Sequence, residues 1–243
     1  MANGVYLYCI ADTEDASKLG NIGLYDRDVY TKNFRDLSAV VSDIPFKEVR
    51  PNVSEINEHQ RVVEASREKW ATLPVRFGTI FKSPEGLGNY LTKSYKDLRP
   101  KIAKFRNKDE YGVKVIFDKD DLSKLQIKTD DNEEIKKIKK EMATAGQGTS
   151  YFLKLRMDEA LRNVVLQKME EISGDIHKQL SKVATDNCIL RSDLAQIIMN
   201  ASYLIDRTEK EKFDSEMRKA KERYEQYGIM IHASGPWAPY SFC

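Results

Sequence analysis

Histidines, cysteines and clustered carboxylates are the residues here that could do chemistry, and their spacing decides whether they can act together. His59, His177 and His232 are far apart, with no His-Glu-x-x-His or Cys-x-x-Cys neighbour to complete a metal set. Scattered core or surface histidines are the simpler reading. Cys9, Cys188 and Cys243 are odd in number and fit no metal pattern, so they read as reduced thiols, Cys9 and Cys188 as packing residues. Asp118, Asp120 and Asp121 cluster after a strand, but Lys119 and Lys124 stand beside them, so a solvated turn is expected rather than a magnesium site. Gly146-Gln147-Gly148-Thr149-Ser150 precedes a helix, where free amides can meet phosphate. It lacks the P-loop lysine and a clear preceding strand, which makes it a hinge between helices. Arg76-Phe77-Gly78-Thr79-Ile80-Phe81 resembles a base-stacking strand only faintly, because the RNP1 spacing is missing. No Gly-x-Ser-x-Gly elbow occurs. Catalysis, a metal and a cofactor are therefore not expected.

The chain has 243 residues, 41% hydrophobic and 32% charged, with a net charge of +2. That suits one large domain or two small ones and gives no case for nucleic acid or an anionic membrane as the main partner. Residues 4–11 are apolar, but no basic segment precedes them and they are too short to span a bilayer, so neither a signal peptide nor a membrane span is expected.

Strands are expected over residues 5–10 and 37–44, and a weak one over 28–31. A helix is expected from Ser54 as N-cap, with Asn57 giving only a partial capping box. Its mixed inner face would use Ile56, His59 or Gln60, Val63, Arg67 and Trp70. LPVRFGTIF, residues 73–81, alternates Val75, Phe77 and Thr79 with Arg76, Gly78 and Ile80 as a strand does, with Gly78 marking a bulge or close approach. A helix over 83–96 leads to a boundary near Pro100. Beyond it the spacing predicts a strand over 111–117 with Tyr111, Val113, Val115 and Phe117 on one face, a charged helix over 130–141, and a long helix over 151–183. That long helix carries a seam of Leu161, Val165, Lys168 or Met169, Ile172, Ile176, Leu180 and Val183. Strands over 187–191 and 194–204 follow, then a helix from Thr208 with Phe213, Met217, Ala220, Tyr224 and Tyr227 inward and Gly228 at C′. A last strand through Ile229, Met230 and Ile231 is expected to break at Gly235-Pro236 and again at Pro239, leaving Trp237, Tyr240 and Phe242 in a short stiff tail. The fold class expected is α+β in two domains: residues 1–105 a small sheet-and-helix domain, and residues 106–243 a βαββαβ ferredoxin-like domain with long helices and the aromatic tail.

GPWAPYSF at the C-terminal end closely resembles a signature of the gas vesicle protein F/L family. VYLYCI, LPVRFGTIF, GTSYFLKLR and NASYLIDR match the same family in the same order, so the resemblance is nearly full length. Ala238 stands where family members often carry Pro, and 243 residues favour the F-type. The resemblance implies a non-enzymatic accessory or structural protein needed to assemble the gas-filled shell. It implies contact with the hydrophobic major shell protein and with other accessory gas vesicle proteins, in the cytoplasm and associated with gas vesicles. Gly235, Pro236, Trp237, Pro239, Tyr240, Phe242, Arg76 and Phe77 form the candidate interaction or packing motif. A ligand-regulated α+β module without catalysis is the alternative, and a nucleotide- or RNA-binding enzyme is a third reading that no motif supports.

Overall fold

The computed structural model describes residues 3–117 and 132–243. The acidic turn expected at Asp118, Asp120 and Asp121 lies outside them. The chain is a mixed helix-and-strand protein that divides into two compact units. Residues 1–111, 204–208 and 234–243 make the first, and residues 112–203 and 209–233 the second. The sequence reading kept 234–243 with the C-terminal half. In the structure this tail belongs with the N-terminal unit, because its polar groups find their partners there.

The first unit is built on β1 (Asn3–Ala11), β2 (Lys18–Gly20), β3 (Val29–Phe34), β4 (Leu37–Pro45), β5 (Thr72–Pro74) and β6 (Ile80–Phe81), with helices α1 (Val53–Arg67) and α2 (Pro84–Phe105). The strand order is β2-β3-β4-β1-β5, and β6 pairs with β1. Each of these pairs for which the register is resolved is antiparallel. β1 is buried throughout residues 4–11, so it reads as a continuous apolar run with no alternation. Its pairing with β4 shifts between Leu7 and Cys9, which leaves Tyr8 as an extra residue. This bulge exchanges the two faces. Val5, Leu7 and Ile10 pack with Leu87, Leu91 and Ile102 of α2, while Tyr6, Tyr8, Cys9 and Ala11 pack with Val62 and Val63 of α1.

Several expected boundaries move. The N-cap of α1 is Asn52, whose side chain accepts from the Glu55 amide, and not Ser54. Its buried face is His59, Val62, Val63 and Ser66, while Ile56 is exposed. α2 runs through Pro100 to Phe105. Buried Leu98, Ile102 and Phe105 hold it in place across the hydrogen bond that Pro100 cannot donate. LPVRFGTIF is not one strand. β5 ends at Pro74 and β6 begins at Ile80, with a turn between them in which Gly78 has φ +84°.

The second unit contains most of a four-stranded sheet of β7 (Lys108–Phe117), β8 (Asp186–Ile189), β9 (Ile197–Asp206) and β10 (Ile229–Trp237), in the order β10-β7-β9-β8, of which residues 108–111, 204–206 and 234–237 count with the first unit. The helices are α3 (Glu133–Thr144), α4 (Gln147–Ser181) and α5 (Lys210–Tyr224). Tyr111, Val113, Val115 and Phe117 of β7 are buried as the period-2 pattern predicts. Ile135 and Ile138 of α3 pack on Leu153 and Ala160 of α4. Further along α4, Met169, Ile172, Ile176 and Leu180 are buried, so the later part of the expected seam is internal packing. Tyr203 of β9 joins the helices to the sheet: its hydroxyl lies 2.8 Å from His177 Nδ1 and its ring 5.9 Å from Phe213. α5 ends at Tyr224 and passes into a 3-10 turn, Glu225–Tyr227, which Gly228 closes at φ +69°, so the expected helix-ending glycine caps this turn and not α5 itself. β10 continues through Gly235-Pro236, a cis peptide, to Trp237. It stands at the end of the strand order, where a residue without an N–H is tolerated.

Candidate functional site

Within the first unit, LPVRFGTIF and GPWAPYSF come together around one open recess of about 660 Å³. Pro74, Arg76 and Phe77 line it from the first stretch, Trp237, Tyr240 and Cys243 from the second. Ile56, His59 and Gln60 of α1 and Glu110 of β7 complete it.

The turn carrying Arg76 and Phe77 is held on all sides. The Val75 amide donates to Tyr8 O at 3.0 Å, and the Leu7 amide donates to Thr79 O at 2.9 Å. Thr79 closes the turn by donating twice to Arg76 O, from its amide at 3.3 Å and its hydroxyl at 2.7 Å. Beneath these lies a relay of buried polar groups. The Gly78 amide donates to Tyr6 Oη at 2.9 Å, and Tyr6 Oη lies 2.9 Å from His59 Nδ1. His59 Nε2 lies 3.1 Å from Val75 O. A carbonyl can only accept, so Nε2 carries the proton and the Tyr6 hydroxyl donates to Nδ1. Burial pushes the His59 pKa down to about 4, against the opposing bond to Val75 O, and burial raises that of Tyr6. His59 is therefore a neutral strut. Phe77 packs on it edge to face at 5.7 Å.

The tail is held by carboxylates. Glu64 of α1 accepts from the Ala238 amide at 3.2 Å, and Glu110 accepts from the Ser241 amide at 2.9 Å and hydroxyl at 2.6 Å. Glu64 also pairs with Arg67, which pairs with Asp109, and Asp109 takes Arg207 at 3.1 Å. Ala238 is fully buried and Phe242 packs against the α2-side core, whereas Trp237 and Tyr240 are each 39% exposed. Gly235 has φ +120°, and a Cβ there would lie 2.7 Å from Glu110 O, so this position admits glycine alone.

Of the residues singled out in the sequence, Arg76, Phe77, Trp237 and Tyr240 meet at the recess. Gly235, Pro236 and Pro239 shape the tail's path, and Phe242 faces the core. Sequence reasoning missed Tyr6, Glu64 and Glu110 as anchors. The one available signal was a carboxylate at the start of a strand otherwise destined for burial, Glu110. His177 bonds Tyr203, and His232 is exposed. Among the described residues no three His, Cys, Asp or Glu side chains converge on a metal position, and no helix is long and apolar enough to cross a membrane.

A mixed helix-and-strand protein with two aromatic stretches locked around an open recess is the class that this architecture defines. The model of the gas vesicle synthesis protein GvpL/GvpF family matches residues 4–243, and the chain belongs to that family. It is 28% identical to gas vesicle protein F of a Streptomyces species, covering 98% of each chain, and 24% identical to gas vesicle protein L1 of Halobacterium salinarum, covering all of this chain and 91% of the other. The crystal structure of the gas vesicle protein GvpF from an Anabaena species has the same fold, with a TM-score of 0.83 at 21% identity over 99% of this chain and 98% of the other. Family membership implies a role in gas vesicle formation.

Proposed function

We propose that the protein is an accessory or structural component in assembly of the gas vesicle shell, and that it binds the major shell protein through the recess of Phe77, Trp237 and Tyr240. A shell subunit with a gas-facing apolar surface would aggregate if left bare, and a protein offering fixed, half-exposed rings can cover and orient it. The observation that carries this reading is the junction of the two aromatic stretches at one recess, their backbones fixed by Tyr6, His59, Glu64 and Glu110. Two of the polar side chains there are already committed, His59 to Tyr6 and Val75 and Glu110 to Ser241. The rings are therefore the main contact surface, in contrast to the several convergent polar groups of a metabolite pocket. The role is non-enzymatic and cytoplasmic, at the gas vesicle, with other accessory gas vesicle proteins as further partners. We read the second unit as ferredoxin-like, because its order of elements and its sheet order β10-β7-β9-β8 follow the split βαβ pattern.

The test is co-expression with the major shell protein followed by co-purification, with W237A alongside. Trp237 is half-exposed, so the variant is expected to keep its circular dichroism and lose the shell protein. A native chain that is folded and soluble yet retains no shell protein would refute direct binding. A W237A variant that retains it in full would remove the recess from the interface.

A further inference from the structure

Arg76 stands out in the recess because its backbone is fixed and its charge is unspent. Its carbonyl accepts two hydrogen bonds from Thr79, while its exposed guanidinium has no hydrogen bond or ion pair among the described residues. Glu110, the carboxylate lining the same recess, takes both hydrogen bonds of Ser241 instead.

An apolar group seated against Phe77 and Trp237 would strip water from the guanidinium beside it. A neutral ligand would leave that charge desolvated and unpaired, and a basic one would be repelled. A carboxylate satisfies it, since the guanidinium fork matches two carboxylate oxygens. We propose that the recess recognises a partner segment in which an apolar side chain stands next to an Asp or Glu, the apolar group against Phe77, Trp237 and Tyr240 and the carboxylate on Arg76. This inference rests on the recess being a protein-binding surface.

The test uses short synthetic peptides with paired Leu or Phe residues followed by Glu, and matched sets carrying Gln or Lys in place of Glu. Binding to the full chain is measured by fluorescence anisotropy. The native protein is expected to favour the Glu set over the Gln set by about fivefold, the worth of one good solvent-edge ion pair, and less at high salt. R76Q, which removes no internal bond, is expected to bind both sets equally, and R76E to prefer the Lys set. W237A is expected to weaken all sets. Equal binding of Glu and Gln peptides by the native chain overturns the inference, as does a preference that survives in R76Q, or binding of no peptide. Equal binding that still depends on Trp237 leaves the recess as a binding surface without charge selection. Co-purification with the shell protein decides the underlying reading separately.

Discussion

His59 lines the recess as a neutral imidazole, its two nitrogens bonded to Tyr6 and Val75. Its pKa is held down to about 4, against about 6.5 in an unfolded chain. Between those values the unfolded state takes up a proton that the folded state refuses. Stability is therefore complete above about pH 6.5 and is lost as the pH falls towards 4, by up to roughly 3 kcal/mol. Urea midpoints measured across this window should fall for the native chain and fall less for H59Q, even though H59Q starts lower; parallel slopes would contradict the assignment. The sequence offered His59 or Gln60 as the inward residue of α1 and could not choose. The choice depends on Tyr6, 53 residues away, whose hydroxyl has no pattern in the local sequence.

Among the elements, α1 gives a sharp comparison, because Asn52 and Ser54 are both good capping types and only the structure separates them. N52A should cost about 1 kcal/mol in chemical denaturation. S54A, which loses only an exposed bond to Glu58, should stay within about 0.5 kcal/mol. The reverse order would restore the cap read from the sequence. G235A should be costlier than either, since its Cβ meets the Glu110 carbonyl in a backbone conformation that side chains disfavour. Hydrogen exchange should show the amides of Ala238 and Ser241 losing protection in that variant; unchanged protection would mean that the tail tolerates the methyl group. The elements legible in the sequence are those with one buried face, such as β7 with Tyr111, Val113 and Val115, and α5 with Phe213, Met217 and Ala220. β1 hid its alternation because both faces are buried and a bulge at Tyr8 exchanges them. LPVRFGTIF looked like a strand because the bonds that bend it come from Tyr6, Tyr8 and Leu7.

For the whole molecule, two surfaces are candidates for the proposed contact with the shell protein. One is the aromatic recess of the first unit. The other is the early part of α4, where Tyr151, Phe152 and Leu155 are exposed. The sequence singled out both the tail and the long helix. It could not show that the tail returns to the N-terminal unit, because that depends on two carboxylates, Glu64 and Glu110, whose partners are backbone amides and a serine. Tyr151, Phe152 and Leu155 stand exposed on a helix, while Trp237 and Tyr240 are half-exposed around a preformed recess. That difference favours the recess as the contact surface.

The most direct measurement is site-specific photo-crosslinking in cells that are forming gas vesicles. A photoreactive phenylalanine analogue is placed at Tyr240 in one strain and at Phe152 in another, and adducts are identified by mass spectrometry. The recess reading predicts that position 240 forms an adduct with the major shell protein and that position 152 forms markedly less. Adducts with the shell protein from position 152 alone would contradict it and move the contact to α4.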